Sequence, residues 1–380
     1  MSTHKRSVYL YLFSEILLSL GIGVVLYTQP FYYQSVGMAD HTIGLLFAIN
    51  SGATGITALL LGSVADRLGA SRVFKAATLL LPLGYLATGM THSFWLLAGA
   101  TTIGGCGAAL LLITENVVLS SLLSNVEKSH VLSRFVAMYT LVMAVGTFCA
   151  GPISQALGYD HTLLLGAGTA LLAPLFRVFV KAPDSRSVQL FRKPTKLIWK
   201  MGVYAILFGC AIGIFAPFAT LILQGHYGVD DRLTAAISAL TLLFTSAGSF
   251  FVTPLLRRFA KPRTILYSFW SGIAITVMLA AGLPTAWSFA SLLLLRTAVF
   301  SIPGSIVDAT FLEWTEPTMH VQMFGVRVFG SSIGTAIGSY VGGVLLNAGA
   351  LSPLYALSAA VCVAAWWYLR TMFRAGGIIE

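Results

Sequence analysis

The chain has 380 residues, 57% of them hydrophobic and only 9% charged, with a mean hydropathy of +0.84. Those proportions exclude a soluble globular domain and require a solvent that is mostly lipid. The formal net charge of +10 leaves nucleic acid or an acidic partner open until the basic side chains have been located along the chain.

Apolar runs long enough to cross a hydrocarbon core of roughly 30 Å as helices recur twelve times. They cover residues 8–33, 41–65, 73–90, 95–121, 131–157, 162–180, 198–223, 233–256, 264–283, 286–311, 321–346 and 351–370. The first is too long for a signal-peptide core and no small-residue cleavage site follows it, so it is expected to stay in the mature protein. With the amino terminus inside, every basic residue except Arg232, Arg296 and Arg327 falls in a cytoplasmic segment or at its edge. That asymmetry predicts an even number of spans and two cytoplasmic termini in a cell (inner or plasma) membrane. The basic charge therefore reports topology; lipid is the expected partner and nucleic acid is not.

In chain order, the first span places Glu15 about 10 Å up from the cytoplasmic side. Its outer end, YTQPFYYQ from Tyr27 to Gln34, crowds tyrosines and glutamines around Pro30. This is either an interfacial aromatic belt with a kink or the mouth of a substrate path, with Tyr27 and Gln29 the deepest polar candidates. After the second span comes GSVADRLGASR at 62–72. The fourth span carries Glu115 about 30 Å along, and the fifth carries Arg134 about 5 Å in, so the two share a depth near the cytoplasmic edge. Residues 181–197, KAPDSRSVQLFRKPTKL, are basic, contain two prolines and read as a cytoplasmic linker. In the second part of the chain Arg296 sits about 15 Å into the tenth span, near the midplane. Asp308 and Arg327 repeat the depth of Glu115 and Arg134. Gly330, Gly334, Gly338 and Gly342 follow at four-residue spacing and predict close helix packing.

The two sides of the linker resemble each other. GSVADRLGASR aligns with TPLLRRFAKPR at 253–263, matching Arg67 with Arg258 and Arg72 with Arg263. Gly23 and Gln34 align with Gly213 and Gln224, and the 19-residue separation of Glu115 and Arg134 recurs in Asp308 and Arg327. The domains expected are a six-helix half at 1–180, the linker at 181–197 and a second six-helix half at 198–380. Gly62, Asp66, Arg67, Gly69 and Arg72 together resemble the loop signature between helices 2 and 3 of the major facilitator superfamily. The resemblance in topology extends over the whole chain and implies an all-α membrane protein of twelve transmembrane helices in two pseudo-symmetric halves.

It also implies a central cavity lined by helices 1, 4, 7 and 10. On that footing Arg296 is expected to bind an anionic group of the substrate and Glu15 to load and release a proton, unless the two form a buried pair joining the halves. Glu115 with Arg134 and Asp308 with Arg327 read as clamps at the cytoplasmic rim, with a proton site at either acid as the alternative. Asp66 reads as a latch of the first half, beside Arg67 and Arg72. GTFCAGPISQALG at 146–158 resembles the glycine-proline signature of the family's antiporters, with a slipped spacing and no closing Gly-Gly. GGCGAA at 104–109 resembles the tail of a motif whose leading arginine is here Thr101, which weakens the case for drug export by the usual route.

The expected function is secondary transport of a small organic solute, anionic or amphipathic, by alternating access, proton-coupled and leaning to efflux, by a monomer. The alternatives are a proton-coupled importer of an anionic metabolite or chelator, and a receptor or regulator that keeps the fold without transport. No enzyme activity is expected. The GSSIG window at 330–334 imitates a hydrolase elbow but lies in a helical run with no partner histidine. No GxxxxGK[ST] occurs, so ATP drive is not expected. No cofactor or metal is expected either, because the four cysteines fall in separate spans without CxxC spacing.

Overall fold

The computed structural model describes residues 3–123, 128–182, 194–282, 285–316 and 319–375; within these, the side chains of 3–5, 61–67, 128–133, 321 and 375 lie outside the described set. Every described regular element is helical. The first half runs α1 (Thr3–Ser35), α2 (Asp40–Leu68), α3 (Ala70–Gly89), α4 (Phe94–Ser121), α5 (Lys128–Leu157) and α6 (Tyr159–Arg177). The second runs α7 (Lys196–Gly213), α8 (Ala219–Gly225), α9 (Asp231–Phe250), α10 (Val252–Arg258), α11 (Lys261–Ala280), α12 (Ala286–Trp314), α13 (His320–Asn347) and α14 (Leu351–Ala375). Two spans are broken helices, α7 with α8 and α9 with α10, so these fourteen helices supply twelve spans. Ten of the spans are long and apolar enough to cross a membrane. The other two, α3 and α6, have 20 and 19 residues and carry charges in their end turns.

Each break has a proline behind it. Pro217 in the 3-10 turn Ala216–Phe218 has no N–H for the carbonyl of Gly213, where α7 ends. The Ser339 hydroxyl of α13 donates to that carbonyl instead, at 3.5 Å. Pro254 likewise cannot donate to Phe250, and the helix is interrupted at Phe251 between α9 and α10. Thr195 and Thr285 cap α7 and α12, their hydroxyls accepting from the Ile198 and Ser288 backbone N–H groups at 3.4 and 3.2 Å. Gly69, the second glycine of the 62–72 signature, has φ +93° and allows α3 to start immediately after α2. A residue with a Cβ is strained there.

The pairing of helices repeats between the halves. α1 packs on α5 and α6, and α3 on α4 and α6; α7 packs on α13 and α14, and α11 on α12 and α14. Small residues set the closest contacts. A Cβ on Gly330, Gly334, Gly338 or Gly342 would run into the carbonyl oxygens of Gly202, Ile206, Cys210 or Ile214 respectively, so the four-residue spacing of α13 is a groove for α7. In the first half a Cβ on Gly23 would meet the Met143 carbonyl of α5, and Thr147 donates to the Gly23 carbonyl at 3.0 Å. The aligned Gly213 receives Ser339 in the same way.

The chain forms two compact units. Unit 1 comprises residues 1–38, 49–191 and 231–239; unit 2 comprises 39–48, 192–230 and 240–380. Residues 183–193 of the expected linker lie outside the described residues.

Candidate functional site

In unit 1, α1 presents Tyr11, Ser14, Glu15 and Ser19 on one face, the spacing of residues stacked over successive helical turns. That face receives Arg177 from the end of α6, whose guanidinium is fully buried. Arg177 Nε donates to Ser14 Oγ at 3.1 Å and Nη1 to Thr78 Oγ1 of α3 at 2.8 Å. The rings of Phe74 and Tyr11 lie 4.4 and 5.4 Å from the guanidinium carbon. Nη2 meets two carboxylates: it pairs closely with Glu15 Oε2, and Glu115 Oε1 of α4 is 3.5 Å away. Ser19 Oγ donates to the other Glu15 oxygen at 2.7 Å, and the Tyr11 hydroxyl donates to the Glu115 backbone carbonyl at 3.1 Å.

Four helices thus converge on one cation and two acids. With both carboxyls ionised, the cluster carries one negative charge that Arg177 does not cancel, and a single proton bound to either acid makes it neutral. The two acids differ in access, because the Glu115 side chain is 20% exposed and the Glu15 side chain 4%.

This arrangement corrects two sequence readings. Glu115 is paired with Arg177 and not with Arg134, whose side chain is exposed on α5. Equal depth brought Glu115 and Arg134 to the same level, but the direction in which each points around its helix axis separates them. Arg177, assigned from sequence to the basic cytoplasmic edge, is the buried centre of the cluster. A signal for this was present: Val178, Phe179 and Val180 follow it, so the arginine lies inside an apolar run.

The C-terminal end of α1 is held by contacts with the starts of α6 and α9. Tyr27 is 1% exposed and its hydroxyl donates to the Asp231 backbone carbonyl at 2.8 Å, within unit 1. The Tyr159 hydroxyl donates to Asp231 Oδ1, also at 2.8 Å. Gln29 is buried, and its Nε2 donates to the Tyr33 hydroxyl at 2.6 Å. Both side chains expected to line a substrate path are therefore engaged in packing.

In unit 2, Arg296 is 3% exposed and points among α11, α14 and the residues after α7. Its partners are Thr276, Ser358, Phe215 and Phe300, so the alternative of a buried pair with Glu15 is corrected, Glu15 being paired with Arg177. Each of the two residues finds its partners in its own unit. Arg327 Nε and Asp308 Oδ1 are 2.7 Å apart, with side chains 32% and 29% exposed. Near them Tyr204 of α7 is buried, and its hydroxyl has no hydrogen-bond partner. Arg72 is exposed, while the side chains of Asp66 and Arg67 lie outside the described residues. Among the described residues no group of His, Cys, Asp or Glu has a metal-binding arrangement.

Comparison with known proteins gives a consistent assignment. The family model described as Major Facilitator Superfamily matches residues 11–312. The chain is 20% identical over 371 residues to the quinolone resistance protein NorA of Staphylococcus aureus (strain MSSA476), covering 92% of each chain. It is 24% identical over 292 residues to a chloramphenicol resistance protein of Pseudomonas aeruginosa, covering 73% of this chain and 68% of that one. Among solved structures, a mutant of the nucleoside transporter NupG superposes with a TM-score of 0.80 at 15% identity, over 97% of this chain and 100% of the other.

Proposed function

The chain belongs to the major facilitator superfamily and is a multi-pass membrane transporter of small molecules, and from that premise we propose that it is a proton-coupled exporter of amphipathic organic compounds. The observation that carries this reading is the cluster of Glu15, Glu115 and Arg177, in which two carboxyls face a single cation. Glu115, the more exposed of the two acids, exchanges a proton with water, and Glu15 stores it against Arg177. Release of the proton restores the full Glu15–Arg177 pair and stiffens α1 against α6. Binding of a proton loosens that contact. A transporter that couples this change to the solute moves one inward as the other leaves.

The relatives support export by their names, which concern resistance to quinolones and to chloramphenicol, both compact amphipathic molecules. The six-plus-six organisation, with halves at 1–180 and 198–380, cytoplasmic termini and a plasma-membrane location, completes the reading. The monomer remains the simplest assembly for it.

The experiment is uptake into proteoliposomes. Candidate solutes come from a thermal-shift screen of the purified protein against quinolones, phenicols, nucleosides and lipophilic cations. An acid interior should drive accumulation of the hits in vesicles with the protein and not in protein-free vesicles. Binding without flux or counterflow would instead identify a receptor and overturn the proposal.

A further inference from the structure

The guanidinium of Arg296 is buried against two rings, Phe215 and Phe300, whose centres lie 4.7 and 5.0 Å from the guanidinium carbon. Nε donates to Thr276 Oγ1 at 2.9 Å and Nη2 to Ser358 Oγ at 3.4 Å. Both hydroxyls are committed, Thr276 donating to the Gly272 carbonyl at 2.8 Å and Ser358 to the Ala211 carbonyl at 2.7 Å. The remaining in-plane edge, carrying Nη1, has no acceptor among the described residues, and none of their carboxylates pairs with Arg296.

A second donor near it is also without an acceptor. Tyr355 of α14 is 3% exposed and its hydroxyl has no hydrogen-bond partner. Its ring lies 5.2 Å from that of Phe215, the same ring that covers Arg296. A buried donor without an acceptor, as the Tyr355 hydroxyl is, is rare, and an ion or a water is a common partner for one.

Arg177 shows what is missing. It too lies against two aromatic rings and donates to two hydroxyls, but its remaining nitrogen meets the carboxylates of Glu15 and Glu115. At Arg296 the same supporting groups are present and the negative charge is not. Hydroxyl dipoles and ring faces soften a buried cation without neutralising it. Water would satisfy the tyrosine but leave the charge. An acceptor-only anion satisfies both.

We propose that a small inorganic monovalent anion of chloride's size binds inside unit 2, between the Nη1 edge of Arg296 and the Tyr355 hydroxyl. The site is a structural ion site within unit 2. It does not rest on the transport reading, since it needs neither flux nor a proton.

The test is thermal unfolding of the full-length purified protein, titrated with sodium chloride against sodium gluconate at constant ionic strength. The midpoint is expected to rise saturably with chloride and to stay level in gluconate. Tyr355→Phe keeps the ring contacts with Phe215 and Phe289, and should weaken half-saturation about tenfold by removing one hydrogen bond to an ion. Arg296→Gln should abolish the dependence. Equal midpoints in chloride and gluconate would overturn the proposal, as would an unchanged half-saturation in Tyr355→Phe; the latter variant decides the matter even if Arg296→Gln fails to fold.

Discussion

Arg177 has three kinds of contact at once, with two hydroxyls, two rings and two carboxylates, and each predicts a different consequence of changing it. Arg177→Gln leaves two buried acids without their cation and should cost about 3–5 kcal/mol, read as a lowered unfolding midpoint in detergent. Adding Glu15→Gln to that variant removes one of the stranded charges and should recover a large part of the loss. A double-mutant cycle in which the two changes simply add would deny the pairing. Glu115→Gln should leave stability nearly intact, because this carboxyl is the more exposed, while shifting the pH dependence of transport. On the proposed reading the proton occupies the one carboxyl in excess of Arg177, and Glu115→Gln removes that excess. The variant should therefore lose coupling, and its flux should become insensitive to an imposed pH gradient.

Charge was the legible part of this site and direction was not. A rise of about 1.5 Å per residue gives the depth of a residue in a straight span, which is why the sequence singles out Glu15, Glu115, Asp308 and Arg296. Each residue also turns about 100° around the helix axis, and which neighbour it meets depends on how several helices pack. Asp308 and Arg327 meet because α12 and α13 present them to each other. Glu115 and Arg134 share a depth and face apart.

At the scale of elements, glycines divide into those that a neighbour holds close and those that nothing touches. Gly338 lies against the carbonyl of Cys210 and Gly334 against that of Ile206, so Leu at either position should separate α13 from α7 and abolish a folded, monodisperse protein on size-exclusion chromatography. Gly304 in α12 has nothing within 4 Å of an added Cβ. Gly304→Ala should be neutral or stabilise by up to about 1 kcal/mol through helix propensity. Gly69→Ala, at φ +93°, should cost about 1–2 kcal/mol by the strain of the left-handed region. The ladder on α13 was readable from its four-residue spacing alone. The breaks after α7 and α9 were not read, because Pro217 and Pro254 fall inside apolar runs whose hydropathy hides them. The backbone bond that each proline forfeits contributes to those breaks, although Pro30, Pro82, Pro152, Pro174 and Pro303 lie inside helices that continue.

At the scale of the molecule, repetition is the strongest regularity. The same helix pairs form on both sides of the linker, and the same hydroxyl-to-glycine carbonyl contact joins α5 to α1 and α13 to α7. The halves then diverge in charge: among the described residues, unit 1 buries a cation with two acids, and unit 2 buries one with none. On this account the first half holds the proton and the second holds a fixed ion, so the coupling chemistry is asymmetric within a symmetric frame. Topology is open to direct test, since a reporter inserted at Arg232 should be accessible from outside and one fused at either terminus from inside.

The most direct test of the proton cluster is accumulation in proteoliposomes with an acid interior. A permanently charged fluorescent solute identified in the ligand screen should concentrate in vesicles containing the wild-type protein, in proportion to the pH gradient. Glu15→Gln should lose that concentrating step by at least tenfold, while exchanging labelled for unlabelled solute at the wild-type rate when no gradient is imposed. Gradient-driven accumulation by Glu15→Gln at the wild-type level would contradict the account.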